Sequence, residues 1–234
     1  MTTASASESA RPKALITGAA RGLGAAIARA LAPTHDLLLG ARSAESLEPI
    51  LAELPDATGV PVELTDYPAV AEAVASIERL DVLVHNAGVA DLGTIAESSV
   101  EQWRTTMDAN IIAVAELTRL LLPALRAANG HVVLINSGAG LRANAGWASY
   151  AASKFAMRAF GDALRLEEPV LRVTSIHPGR IATDMQREIV AGEGREYRPE
   201  EFLTAETVAG AVRNAIETPR DGHPTEIILR PIAR

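Results

Sequence analysis

Three observations predict an α/β fold, doubly wound, with a central parallel sheet of about seven strands and helices on both faces. Short apolar runs alternate with longer stretches of helical periodicity along the chain, the pattern of successive βαβ units. No repeat, linker or low-complexity segment interrupts that alternation. Only 3% of the residues are aromatic although 48% are hydrophobic, so Leu, Val, Ile and Ala must fill the core, which suits helices packed on a parallel sheet. A chain of 234 residues can bury one such core, and a single domain over 1–234 is expected.

Taken in order, residues 1–10 are small and polar and read as a loose tail with no apolar stretch to act as a signal peptide. Ala14 to Thr17 is the first expected strand and leads into a helix from about Gly22 to Leu31. Further strands are expected at Asp36 to Gly40, Val60 to Leu64, Asp81 to His85, His131 to Asn136, Arg172 to His177 and Glu226 to Arg230. One long helix is expected from about Ser99 to Ala127, with Val100, Trp103, Met107, Ile111, Val114, Leu121 and Leu125 along one stripe. Asn110 falls on that stripe. A polar residue there needs a partner, either as a structural hydrogen bonder or as part of a site.

Composition excludes several classes of function. No apolar run approaches the roughly 20 residues of a membrane span. A formal net charge of -7 argues against a nucleic-acid partner, because phosphate binding rests on clustered Lys and Arg. Zero cysteines exclude disulfides, thiolate chemistry and Cys-ligated zinc, and no metal is expected. A cytoplasmic location is the expectation.

The run Thr17-Gly18-Ala19-Ala20-Arg21-Gly22-Leu23-Gly24 is weak on its own. With Gly near 7% of residues, three glycines at fixed spacing arise in roughly one chain in twelve of this length. Its position is what strengthens it. It follows an expected strand and opens a helix, where backbone N–H groups and the positive helix end can hold a pyrophosphate. The alternative is a tight turn with no ligand.

A second group can move a proton. Tyr150 and Lys154 stand four residues apart on one face of an expected helix, so the ammonium can lie near the phenol. Lowering a tyrosine from its usual pKa near 10 to about 7 takes roughly 4 kcal/mol, which Lys154 together with an oxidised nicotinamide can supply. Tyr150 would then act as general acid toward a carbonyl oxygen, or as base toward an alcohol. Ser137 ends the expected fifth strand, where α/β sheets place their ligands, and its hydroxyl can hold the reacting oxygen.

At these residues the chain resembles the short-chain dehydrogenase/reductase family, in its single-domain Rossmann branch. The family's T-G-x-x-x-G-x-G matches Thr17 to Gly24, its N-A-G matches Asn86-Ala87-Gly88, its Y-x-x-x-K matches Tyr150 to Lys154, and its P-G-x-x-x-T matches Pro178-Gly179 to Thr183. His85 stands where an Asn commonly precedes N-A-G, and Glu63 where Asp or Asn commonly ends the third strand. The resemblance implies a catalytic set of Asn110, Ser137, Tyr150 and Lys154. Within it Lys154 also binds the nicotinamide ribose, and Asn110 anchors a water relaying protons to Lys154. It further implies cofactor contacts at Gly18, Gly22, Leu23, Gly24, Leu64, Asn86, Ala87, Gly88, Tyr150, Pro178, Gly179, Ile181 and Thr183, the last two holding the carboxamide. Dimers or tetramers through the helices carrying Asn110 and Tyr150 are implied as well.

Cofactor choice turns on the segment after the second strand. Gly40-Ala41-Arg42-Ser43 holds no acid to receive the ribose hydroxyls, while Arg42 and Arg21 can pair with a 2′-phosphate. NADP is therefore expected over NAD, unless both arginines are merely solvated. Residues 184–202 carry glycines and many charges, as a lid over substrate or a plain surface loop does. Between Ser137 and Tyr150, Leu141 and Trp147 are expected to touch a small-molecule carbonyl or alcohol substrate, with Trp147 as an apolar wall. Arg142 and Asn144 are further candidates. The alternative function is a regulatory protein that binds NADP(H) without catalysis. An epimerase or dehydratase of the related larger enzymes is disfavoured by chain length.

Overall fold

The structure, a computed structural model, describes residues 11–232; the expected tail over 1–10 lies outside the described residues. The strands are β1 (Lys13–Ile16), β2 (Asp36–Ala41), β3 (Thr58–Pro61), β4 (Val82–His85), β5 (His131–Ile135), β6 (Arg172–Pro178) and β7 (Glu226–Leu229). They form one seven-stranded parallel sheet in the order β3-β2-β1-β4-β5-β6-β7. The helices are α1 (Gly22–Leu31), α2 (Ala44–Glu53), α3 (Tyr67–Val74), α4 (Val100–Met107), α5 (Ala113–Ala128), α6 (Ala148–Glu167), α7 (Asp184–Gly192) and α8 (Ala205–Glu217).

Strand alternation explains why both faces are apolar. Ile16, Leu39, Val84, Val133 and Ile176 pack with Ile27 and Leu31 of α1 and Val208 and Val212 of α8. Leu15, Leu83, Val132, Leu134 and Val173 point the other way, against Val70 of α3, Leu117 and Leu121 of α5, and Met157 and Leu164 of α6. Each central strand therefore buries both of its faces and reads as an unbroken apolar run. Among the described residues, no helix is long and apolar enough to cross a membrane.

Two expectations need correction. The third strand begins and ends earlier than Val60 to Leu64, because its ladder with β2 runs from Leu38↔Thr58 to Ala41↔Pro61. The chain then turns at Glu63 to Asp66, and Asp66 caps α3. Val60, Val62 and Leu64 still pack on the second apolar layer, so their alternation reflects burial beyond the end of the ladder. The long helix expected from Ser99 to Ala127 is likewise not uniform. Ser99 caps α4, accepting from Gln102 N at 3.1 Å, and a π turn at Asp108–Ile112 separates α4 from α5. Asn129, in the left-handed region at φ 48°, ends α5. The remaining strand ends differ from expectation by one residue.

The strand order reverses direction at β1 and β4, and ligands in such sheets bind outside the carboxyl ends beside that point. The loops after β1, β4, β5 and β6 meet there.

Candidate active site

Thr17 ends β1 and ties the glycine loop to the loop after β4. Its Oγ1 accepts from Asn86 N and Ala87 N, each at 3.0 Å, and donates to Val84 O at 3.3 Å. The Asn86 amide returns two bonds, to Thr17 O at 3.0 Å and Gly18 O at 3.1 Å. Asn86 is thus spent on shaping the loop. Gly18 adopts φ +63°, and a Cβ at Gly24 would lie 2.0 Å from Gly18 O. Only glycines let the backbone fold this closely against the start of α1. Leu23 is buried behind the loop, and Arg21 at the N-cap makes no capping bond with its side chain. The first-turn N–H groups are left for an anion.

Across from this loop lies the segment after β6. A Cβ at Gly22 would sit 3.5 Å from Thr183 Cγ2, so the two loops face each other closely. Gly179 N donates to Leu229 O at 2.8 Å, which fixes the Pro178-Gly179 turn on β7. Ile181 pairs with Leu203, and Thr183 caps α7 by accepting from Gln186 N at 3.3 Å. Arg21 reaches over to Asp184 at 3.4 Å, both side chains being largely exposed. Arg42 is exposed just past β2 and has no ion-pair partner among the described residues. Leu64 lies beyond β3, packed on the second apolar layer.

The proton-handling group assembles on the same rim. A Cβ at Gly161 would come 2.9 Å from Leu134 Cδ1, so α6 lies close on the sheet, and its N-terminal half is held at the end of β5. Lys154 is buried and donates from Nζ to Ile135 O at 3.0 Å. Its Nζ lies 5.8 Å from the centre of the Tyr150 ring. Burial lowers the Lys154 ammonium to about 8. The phenol of Tyr150 is pushed above its ordinary value by burial, and a hydrogen bond from Ser137 pulls the other way. Desolvation is the larger of the two effects, so Lys154 alone does not bring the phenol below its ordinary value. Ser137 Oγ accepts from Ala139 N at 3.1 Å, which leaves the hydroxyl proton to donate.

Asn110 is fully buried in the π turn. Its Oδ1 accepts from Val89 N at 2.8 Å, and its Nδ2 donates to Val89 O at 2.9 Å and Ser153 Oγ at 3.0 Å. A Cβ at Gly88 would meet Asn110 Oδ1 at 2.9 Å and Lys154 Nζ at 3.8 Å, so glycine lets these groups converge. Trp147 stands edge-on to Tyr150 with ring centres 5.8 Å apart. Leu141 follows the short turn at Gly138–Gly140 and is half-buried. Arg142 and Asn144 are exposed.

The sequence reading missed four residues of this assembly. Asn136 accepts from Ser137 N at 2.8 Å and donates to Lys154 O at 3.1 Å, joining two members of the set. Ser153 bridges Asn110 to Tyr150. His177, buried in β6, meets Ser137 O through Nδ1 at 3.2 Å, and burial lowers its pKa. The guanidinium of Arg180 lies 5.5 Å from the centre of the Trp147 ring. Polar residues at the ends of apolar strands, such as Asn136 and His177, are a usable signal. His85 is a core residue: it is buried, its Nε2 contacts Thr118 Oγ1 at 2.9 Å, and burial lowers it to about 3.

A family model described as short chain dehydrogenase matches residues 12–194. The chain is 35% identical to glycine betaine reductase ATRR of Emericella nidulans over 93% of its length, and spans 18% of that protein. It is 36% identical to dehydrogenase/reductase SDR family member 7B of Bos taurus over 82% of its length and 65% of that protein. Among solved structures it is similar to an alcohol dehydrogenase from the archaeon Thermococcus sibiricus complexed with 5-hydroxy-NADP. That likeness has a TM-score of 0.86 and 29% identity, and covers 95% of this chain and 97% of the other.

Proposed function

Because the chain belongs to the short-chain dehydrogenase/reductase family, we propose that it is an NADP-dependent oxidoreductase that interconverts a carbonyl and a secondary alcohol on a small molecule. The observation that carries this reading is the convergence of Ser137, Tyr150 and Lys154 beside a glycine loop shaped to admit a pyrophosphate. The cradle fits the group: glycine at 24 lets the loop close against the start of α1, where a Cβ would strike Gly18 O at 2.0 Å, no side chain caps the first-turn N–H groups, and Arg21 and Arg42 offer cations for a 2′-phosphate. Gly18, Gly22, Leu23, Gly24, Asn86, Ala87 and Gly88 would form the pyrophosphate side. Pro178, Gly179, Ile181 and Thr183 would form the nicotinamide side, with Leu64 toward the adenine. The nicotinamide, when bound, supplies or takes up the hydride.

Tyr150 gives its proton to the substrate oxygen in reduction and recovers it in oxidation. Ser137 donates to the same oxygen and holds it against the phenol. Lys154, with a pKa of about 8, stays mostly protonated at neutral pH and opposes the rise that burial imposes on Tyr150. Asn110 and Asn136 position these groups, and a water held near Asn110 would return protons to Lys154. Trp147 and Leu141 line the substrate side. A homo-oligomer fits the exposed Val100, Ile112 and Phe155 on the helical face around Asn110 and Tyr150, and a cytoplasmic location fits the reading.

The test is NADPH oxidation across aldehydes, ketones and diketones. Turnover is expected in the wild type and lost by at least a thousandfold in Tyr150→Phe, with NADPH binding retained. Equal affinity for NADPH and NADH would overturn the cofactor choice. No turnover across the panel would favour a non-catalytic NADP(H) sensor.

A further inference from the structure

Arg180 sits two residues past Pro178, the last residue of β6, on the loop that also carries Ile181 and Thr183. Its guanidinium lies over Trp147, 5.5 Å from the ring centre, and the same ring is edge-on to Tyr150 with centres 5.8 Å apart. One aromatic ring therefore touches both a cation and the group that handles the proton. That cation is paired through both of its terminal nitrogens with both carboxylate oxygens of Glu193, one contact at 2.8 Å and a second shorter. The two side chains are 31% and 29% exposed, Glu193 standing at the exposed end of α7.

Glu193 is poorly placed for a purely structural bond. It is the C-cap of α7, where the helix end carries partial negative charge and an acid is disfavoured. Arg195 shares its carboxylate at 3.3 Å and can keep that charge balanced if Arg180 turns away. Gly194 follows in the left-handed region, with open space where a Cβ would stand, so the Glu193 side chain has free room beside it. A planar guanidinium that already holds a carboxylate in forked geometry at the mouth of the site is ready for another.

We infer that the site takes carbonyl or hydroxy compounds bearing a carboxylate about one ring-width from the reacting carbon, with Arg180 recognising that carboxylate and Glu193 occupying its place until substrate displaces it. The inference rests on the oxidoreductase reading. The substrate body crosses the Trp147 face, the carboxylate exchanges for that of Glu193, and the carbonyl reaches Tyr150 and Ser137.

The probes are 4-formylbenzoate and its methyl ester, which share ring and carbonyl and differ by one charge. The wild type is expected to favour the acid by tenfold or more in kcat/KM. Arg180→Gln should raise the KM of the acid at least tenfold and that of the ester far less, with Arg180→Lys recovering part of the loss. Glu193→Gln should lower the KM of the acid severalfold, since the resident competitor is gone. Both changes break the same ion pair, so a merely structural tie would move both variants in the same direction. Reduction of the ester, dependent on Tyr150 but with no preference for the acid, overturns this inference alone. If neither compound is reduced, the oxidoreductase reading fails for them, and calorimetric titration still decides the inference. An acid that binds no tighter than its ester, or binds Arg180→Gln as well as wild type, overturns it.

Discussion

The amide of Asn110 donates to Ser153 Oγ at 3.0 Å, and that hydroxyl donates to Tyr150 O at 2.7 Å. The π turn and the helix carrying the phenol are thereby joined through two buried polar groups. Ser153→Ala strands one Asn110 N–H in a fully buried place, a cost of about 1–3 kcal/mol. Urea unfolding should show that loss. Turnover should fall several-fold as Tyr150 loosens, while NADPH affinity changes less than twofold. Unchanged stability would mean that the link is made by water instead.

The glycine loop separates two kinds of requirement. Gly24→Ala places a methyl 2.0 Å from Gly18 O, a backbone atom that cannot move without dismantling the Thr17 and Asn86 bonds. Cofactor binding should be lost and the melting temperature should drop sharply. Gly22→Ala meets nothing nearer than Thr183 Cγ2 at 3.5 Å, but must hold φ +55°, at about 1–2 kcal/mol. It should bind NADPH more weakly yet fold. Calorimetric titration and thermal melts of the pair check the ranking, and equal effects would contradict it.

The alternation of apolar runs made the parallel sheet legible, and the residues of the glycine loop and of Tyr150 and Lys154 were legible as a spaced pattern. What escaped needed three dimensions. The end of β3 was hidden because Val62 and Leu64 stay buried after their ladder stops. The π turn at Asn110 leaves the apolar stripe intact and so gives no break in periodicity. The direction of the Tyr150 shift depends on desolvation set against the bond from Ser137, neither of which spacing alone reveals. Arg180 and Glu193 are thirteen residues apart in an ordinary charged stretch, and only folding brings their charges to Trp147.

Acid stability should follow the buried histidines. His85 and His131 are both lowered to about 3, chiefly by burial, against about 6.5 in an unfolded chain. Between those values the unfolded chain binds more protons than the folded one. Stability is therefore full above about pH 6.5 and drains as pH falls toward 3, at on the order of 1 kcal/mol per unit for each group. His85→Asn keeps a donor for Thr118 and removes one titration. Urea midpoints at pH 7 and pH 5 should converge in this variant relative to wild type. Parallel pH dependence of the two proteins would rule out His85 as a contributor.

Lys154 should set the alkaline limb of the reduction. Its pKa of about 8 lies below the raised phenol of Tyr150, so the ammonium is the first of the two to lose its proton as pH rises. Once neutral, it no longer opposes the burial that disfavours phenolate, and the phenol becomes a weaker acid toward the substrate oxygen. With NADPH saturating, kcat/KM should be level below about pH 8 and fall above it. Lys154→Arg keeps a cation that does not titrate in this range, so its activity should be lower throughout because the bond to Ile135 O is disturbed, but its limb should move to higher pH. Lys154→Met should lose at least a hundredfold in turnover while remaining folded, since removing a buried charge relieves the desolvation that Lys154 imposes. The pH profiles of the three proteins, measured with one neutral aldehyde, test this assignment, and an alkaline limb that stays near pH 8 in Lys154→Arg would transfer the titration to another group.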